Sequence, residues 1–441
     1  VVRLFQAEKT SNVLVRDDVA QPSRWGIFTT SGLQRAILDG RPLDRLPVGE
    51  LASWELITVR PDDQVGEALV LMQRHGVHRV VVQDDGKILG LLESLDLFGF
   101  LSNHSMLIDR RLRAATDLDA LARAAAQMND MIRRQYRGGT RIALLARLVQ
   151  DLNGRLFEQA WQLIAPPELV QNSCLLVMGS EGRGEQLLKT DQDNALLLRD
   201  GYVPPDDLPA ICARFSEALA RFGYPPCPGN VMLSNATWRG TVQDFARRVR
   251  KWLVLPEADS LINLAVFMDA HAVCGDAELL ASLRRQVFGM LADDDAMMSR
   301  FAAVVDAFGD GTRWWRRMLG GGEANLNVKK AGMFPLVHGV RSMALAERID
   351  ATSTEARIRA LQEAGALDAE TAQELTESLH FFMGLRLKAG LDEMDRGQPV
   401  SGKVDLAGLT PLERDLLKDV LAAVRRFRAQ LRLRFRLGAV S

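Results

Sequence analysis

The stretch that most narrows what this chain can fold into is "GSEGRGEQLLKTDQDNALLL", Gly179 to Leu198. The preceding "SCLLVMGS" reads as a short buried strand that stops at Gly179, because its apolar run ends abruptly there. The glycines that follow let the backbone approach a ligand closely and leave amide groups free to meet phosphate. "GEQLLK" is expected to start a helix whose positive end favours an anion. "DQDNALLL" is expected to be a second strand, and alternation along a strand would send Asp191 and Asp193 to the same face. Two carboxylates so placed repel each other, and one tends to hold a proton unless a cation sits between them. Magnesium suits that position, since it is held by one or two carboxylates together with substrate phosphates. Arg183 and Lys189 add positive charge suited to a triphosphate. The chemistry implied is a nucleoside triphosphate, magnesium and phosphoryl transfer. The P-loop and the dinucleotide-binding glycine pattern are both missing from this turn.

At 441 residues the chain is too long for one core, so about three domains are expected. A formal charge of −1 gives no global basic field, so a nucleic-acid partner is not indicated. The longest apolar runs fall far short of a membrane span, and no leader pattern opens the chain. Cys174, Cys212, Cys227 and Cys274 lack CxxC spacing, and the histidines form no HxxxH-type pair. A reduced, cytoplasmic setting without zinc chemistry is expected.

The first hundred residues repeat themselves. "VVRLFQAEKTSNVLVRDD" (Val1 to Asp18) aligns with "ALVLMQRHGVHRVVVQDD" (Ala68 to Asp85), and "GIFTTSGL" with "GLLESLDL". Each copy reads as helix, alternating strand, turn, second strand and helix. The first copy is expected to be truncated before its helix. This repeat resembles a pair of CBS modules, which often bind adenine nucleotides and associate in twos. The resemblance implies that Asp96 grips ribose hydroxyls, while Gly32 stands in the equivalent place of the first copy. An acid at a helix start is equally an ordinary N-cap.

The spacing hydrophobic run, Gly-Ser, about ten residues, Asp-x-Asp, apolar strand resembles the DNA-polymerase-β-type nucleotidyltransferases. More narrowly, "GSEGRGEQ" followed by "TDQDNAL" is similar to the CBS-linked nucleotidyltransferases, relatives of the uridylyltransferase that modifies the PII signalling protein. The likeness continues through "GNVMLSNATWRG", "LAVFMDAHAVCGD" and "GLTPLERDLLKDVL". It implies that Asp191 and Asp193 hold two magnesium ions, roughly 3.5–4 Å apart as in two-metal sites. Gly179 and Ser180 would contact the triphosphate, with Arg183 and Lys189 close by. Such sites usually carry a third carboxylate. Asp269, in the centre of the strand-like "INLAVFMDAHAV", is the candidate, with a paired structural acid as the other reading.

From about Asp276 helical periodicity dominates, and a helix bundle packed on the catalytic domain is expected. Lys329, Lys330 and Arg341 either face the phosphates across a cleft or lie on a wet helix surface. The arginine-rich tail "RRFRAQLRLRFRL" reads either as a polyanion surface or as a helix whose arginine stems cover its apolar edge. The fold expected is thus α+β and multidomain: a CBS pair at 1–108, helices at 109–166, a mixed-sheet nucleotidyltransferase domain at 167–285 and a helical substrate-binding domain at 286–441. The function expected is regulatory transfer of a nucleotidyl group from ATP or UTP to a hydroxyl of a protein or small molecule. A non-catalytic nucleotide sensor is the alternative, and it gains if Asp269 does not converge on Asp191 and Asp193.

Overall fold

A computed structural model describes residues 1–7, 12–17, 24–39, 41–63, 65–254, 258–291, 295–306 and 325–437. It is a mixed α+β structure in two compact units, Val1–Asn103 and His104–Ser441.

In the first unit, β1 (Asn12–Arg16) and β2 (Trp25–Thr29) form an antiparallel hairpin, with Val13 opposite Phe28. The second copy has β3 (Thr58–Val59), β4 (Arg79–Asp84) and β5 (Lys87–Glu93), in which β3 runs parallel to β4 and β5 antiparallel to it. Val59, Ala68, Met72, Val80 and Leu97 form its core. The repeat is therefore visible as two strand hairpins, each followed by a helix, Thr30–Asp39 and Ser94–Arg113. Gly32 explains why the first copy lacks an acid at that place. A Cβ there would collide with the ring of Phe28, which stacks on Phe5.

The second unit is built on a four-stranded sheet in the order β8-β7-β6-β9. Its strands are β6 (Ser173–Val177), β7 (Asn194–Leu198), β8 (Arg239–Thr241) and β9 (His271–Gly275). β6 is antiparallel to both β7 and β9, while β7 and β8 are parallel. Every residue of β6 and β7 is buried, because the sheet is covered on both faces. Alternation divides their side chains between two cores. Cys174, Leu176, Met178, Ala195 and Leu197 meet the helices Val242–Val254, Ala258–Phe267 and Ala277–Leu291. Leu175, Val177, Leu196 and Leu198 meet Leu118–Arg137, Ile142–Ile164 and the C-terminal helices. Those last are Phe334–Ala346, Thr354–Glu363, Ala369–Asp395 and Pro411–Arg434.

Local sequence explains the ends. Asp117 caps Leu118–Arg137 by accepting from the amide of Ala120 at 2.7 Å, and Gly138 closes it. Thr410 and Glu413 form a reciprocal capping box at the start of the last helix. That helix buries Leu417, Leu421, Val424, Phe427 and Leu431. Its arginines meet acids: Arg428 and Arg432 share Asp306, and Arg426 pairs with Glu374. The tail is thus an apolar stripe with a paired rim. Among the described residues no helix is long and apolar enough to cross a membrane.

Three local expectations differ from the structure. "GEQLLK" does not start a helix. Between β6 and β7 the helical turn is Gly179–Gly182, and Glu185, Gln186, Leu187 and Leu188 run on as irregular chain, all four buried. A segment buried all round has no solvent face for a surface helix to present. "DQDNALLL" becomes a strand only from Asn194. "INLAVFMDAHAV" is a helix as far as Phe267, then a turn, then β9, an ambiguity inherent in short apolar runs.

Candidate nucleotide and metal site

The end of β6 and the start of β7 are held together beyond the sheet, where the amide of Met178 donates to the carbonyl of Asp193 at 2.8 Å. Gly179 comes next, with φ of +56°, a conformation that favours glycine. A Cβ at this position would collide with Oδ2 of Asp193. The glycine is what lets that carboxylate lie against the turn.

Asp191 and Asp193 precede the strand proper, on a segment tied to its neighbour by amides. The amide of Gln192 donates to Pro225 at 3.0 Å and that of Asn194 to Val231 at 3.0 Å. Gln192 turns to the opposite side, where its amide nitrogen donates to the carbonyls of Ser216 and Tyr224, both at 3.1 Å. The two aspartates turn the other way. One carboxylate oxygen from each and the Sγ of Cys227 all lie within 4.8 Å of one another. Burial pushes Asp193 up to about 6, and the charge of Asp191 adds to this; Cys227, Lys329 and Arg183 pull the other way. Burial and Asp193 push the Cys227 thiol up to about 12. The donor set fits a hard divalent cation on the two carboxylates, with the neutral thiol hydrogen-bonded to Asp193.

Asp191 of this cluster borders a cleft of about 750 Å³, whose lining also includes Lys189, Thr190, Lys329, Arg386 and Gly402. A smaller recess shares Thr190, Arg386 and Gly402 with it and adds Ser180, Glu185 and Gln186. Ser180 donates to the side-chain oxygen of Gln186 at 2.9 Å.

The rest of the glycine-rich motif faces inward. Glu181 accepts from Asn153 at 2.9 Å, and Asn153 in turn accepts from the hydroxyl of Tyr224 at 2.5 Å. Burial pushes Glu181 up to about 8. Arg183 donates through Nε to Glu185 at 2.6 Å and through Nη1 to Asp269 at 2.5 Å. Glu185 also accepts from the amide of Thr354 at 3.0 Å. A side chain on Gly182 would strike the carbonyl of Asp269. These residues fasten the turn to its neighbours.

The other expected site residues fall out as follows. Arg183 is directed to two acids, so its guanidinium does not extend into the cleft. Burial opposes its charge, but Glu185 and Asp269 outweigh that and raise its pKa. Lys189 borders the cleft, but its ammonium donates to the carbonyl of Ala125 at 2.6 Å and lies over the ring of Tyr224. Burial pushes it down to about 8. Lys329 lines the cleft, whereas Lys330 is exposed and is not part of its lining. Asp96 lies in the helix Ser94–Arg113, and its side chain is outside the described residues.

Asp269 departs furthest from its expected role as third catalytic carboxylate. It sits in the turn before β9, wholly buried. Beside Arg183 it receives Arg341 and Arg357, the latter through Nη1 at 2.8 Å. Burial alone would raise its pKa; the three arginines, Arg341 first, hold it well below the usual carboxylate range. It is not among the groups that converge with Asp191 and Asp193. The paired structural acid is what the structure shows, and Arg341, which also donates to His338 at 3.1 Å, is spent on it and not on the cleft.

Sequence reasoning missed Cys227 and Arg386. The first lies in the turn cluster "GYPPCPGN", and a cysteine flanked by prolines just upstream of the strand's partner segment was its only signal. The second sits mid-helix like any surface arginine.

The model of "Putative nucleotidyltransferase DUF294" matches residues 126–259, and "Putative nucleotidyltransferase substrate binding domain" matches 295–435. Together they span more than half of the chain. The model of the "CBS domain" matches 48–103, which is the second copy of the repeat. The chain belongs to the CBS-linked nucleotidyltransferase family. Within this family assignment, the Asp191 and Asp193 pair falls in the transferase match and Arg386 in the substrate-binding match. An uncharacterized protein of Methanocaldococcus jannaschii is 29% identical over 65 residues, or 15% of this chain and 35% of that protein. The chain therefore spans about a third of that relative's length. The crystal structure of an uncharacterized conserved protein from Pyrococcus horikoshii shares 29% identity, covering 22% of this chain and 74% of the other, with a TM-score of 0.21.

Proposed function

We propose that this chain transfers a nucleotidyl group from ATP or UTP to a hydroxyl of a protein or small-molecule acceptor. The observation that carries the reading is the convergence of Asp191 and Asp193 beside the left-handed Gly179, with Asp191 bordering a cleft large enough for a nucleotide. Asp191 and Asp193 would hold Mg2+, which when bound supplies charge neutralisation for the phosphates. Gly179 keeps the turn free of a side chain that would displace Asp193. Ser180 and Thr190 offer hydroxyls at the recess, and Lys329 sets a positive charge across the cleft. Catalysis on this account is positioning together with electrostatic stabilisation. The CBS portion would sense adenine nucleotide, and its pairing would make the molecule a homodimer.

Incubation with labelled nucleoside triphosphates, Mg2+ and a cell extract tests the reading beside Asp191→Ala/Asp193→Ala. The expected result is pyrophosphate release and a labelled product that the double variant does not make. No release with any triphosphate would overturn it.

One observation favours the sensor reading. Asp269 is held by three arginines, and among the described residues no third carboxylate joins the pair, whereas transferases of this type usually carry one. Calorimetry with ATP and Mg2+ separates the two: a sensor binds without turnover.

A further inference from the structure

Arg386 projects from the middle of the helix Ala369–Asp395, between the buried Leu385 and Leu387. Its Nε is enclosed and has no hydrogen-bond partner among the described residues. Its Nη1 meets the sulfur of Met333 at 3.6 Å, a weak acceptor. Burying a guanidinium without a partner is costly, so a structural role would call for a carboxylate beside it. The other enclosed arginines near the turn have one: Arg183, Arg341 and Arg357 all donate to Asp269. Arg386 does not, although it borders both the recess with Ser180 and Thr190 and the larger cleft with Asp191 and Lys329. Lys329 is exposed on the same cleft and belongs, like Arg386, to the C-terminal half.

We infer that Arg386 and Lys329 form a polyphosphate subsite, through which the C-terminal helices hold the terminal phosphates of the triphosphate while Asp191, with Asp193 beside it, borders the same cleft. A guanidinium meets phosphate oxygens with its fork of donors, and an ammonium adds a point charge. The substrate-binding half thus grips the donor's leaving diphosphate. This rests on the nucleotidyl-transfer reading for its substrate, but the subsite can be probed without turnover.

The probe is inorganic tripolyphosphate, titrated calorimetrically into the full chain with and without Mg2+. Arg386→Met should weaken binding about tenfold or more, ~1.4 kcal/mol. Arg386→Lys should fall between it and the native chain, and Lys329→Met should weaken binding by a smaller factor. The thermal midpoint of unliganded Arg386→Met should not drop, because no ion pair is broken; a cooperative melt also certifies the fold. Native-like tripolyphosphate binding by Arg386→Met, or a lowered midpoint with binding unchanged in Arg386→Lys and Lys329→Met, overturns the subsite. If the native chain turns over and Arg386→Met keeps the same KM for the triphosphate, the subsite fails and the transfer reading stands. If the native chain binds tripolyphosphate through Arg386 but never turns over, the transfer reading fails and the subsite stands.

Discussion

Arg341 grips Asp269 with both arms of its guanidinium, Nε to Oδ1 at 2.9 Å and Nη2 to Oδ2 at 2.5 Å. Arg183 and Arg357 close on the same carboxylate. One acid in the turn before β9 thereby ties the glycine turn to two helices of the C-terminal half.

Removing that charge leaves Arg341 and Arg357 without their carboxylate and Arg183 with Glu185 alone. Asp269→Asn should destabilise the fold by about 3–5 kcal/mol, the usual result of breaking a buried pair from one side. Urea or thermal unfolding reads it. Arg341→Lys should destabilise too, since an ammonium cannot reproduce the two-armed contact. A native melting curve for Asp269→Asn with loss of metal binding would instead return this acid to the catalytic site.

Gly179→Ala combines a left-handed backbone with a collision against Asp193. The backbone conformation alone costs roughly 1–2 kcal/mol for a residue with a Cβ. The displaced carboxylate should also weaken Mg2+ binding. Calorimetric titration with Mg2+ checks this; affinity equal to that of the native chain counts against the role given to the glycine.

The metal pair predicts opposite effects with and without cation. Burial, helped by Asp191, disfavours the charge on Asp193, so Asp191→Asn/Asp193→Asn should melt above the native chain in chelator. Added Mg2+ should raise the native midpoint and leave the variant unmoved. At a hundredfold excess over its dissociation constant, a bound ion stabilises by about 2.7 kcal/mol. Scanning calorimetry in chelator and in Mg2+ makes both comparisons.

Glu181 predicts a pH dependence. Burial raises its pKa from 4.5 to about 8. Between those values the folded chain keeps a proton that the unfolded chain has lost, so stability declines as pH rises from about 4.5 to about 8. Glu181→Gln cannot ionise, and its amide oxygen can still accept from Asn153. It should match the native chain near the acid end of that window and exceed it above the alkaline end, by a few kcal/mol in order of magnitude. Chemical unfolding across that range decides it; parallel curves for the two proteins would refute the assignment.

What the chain reveals without coordinates is local. The β6 run, the glycine turn and the aspartate pair lie within about twenty-five consecutive residues. Their arrangement is legible because a strand end, a left-handed glycine and two alternating acids constrain one another at short range. The repeat, the helical periodicity and the caps at Asp117 and Thr410 are legible for the same reason. Tertiary structure alone decided which charges remain for a ligand. Arg183, within the motif, is drawn inward by an acid 86 residues away, and Asp269 is neutralised by arginines 72 and 88 residues beyond it. Arg386, far along the chain, is left at the cleft with no carboxylate paired to it among the described residues. Charge pairing in a dry interior depends on distance in space, and nothing in the spacing along the chain records which guanidinium will find a carboxylate.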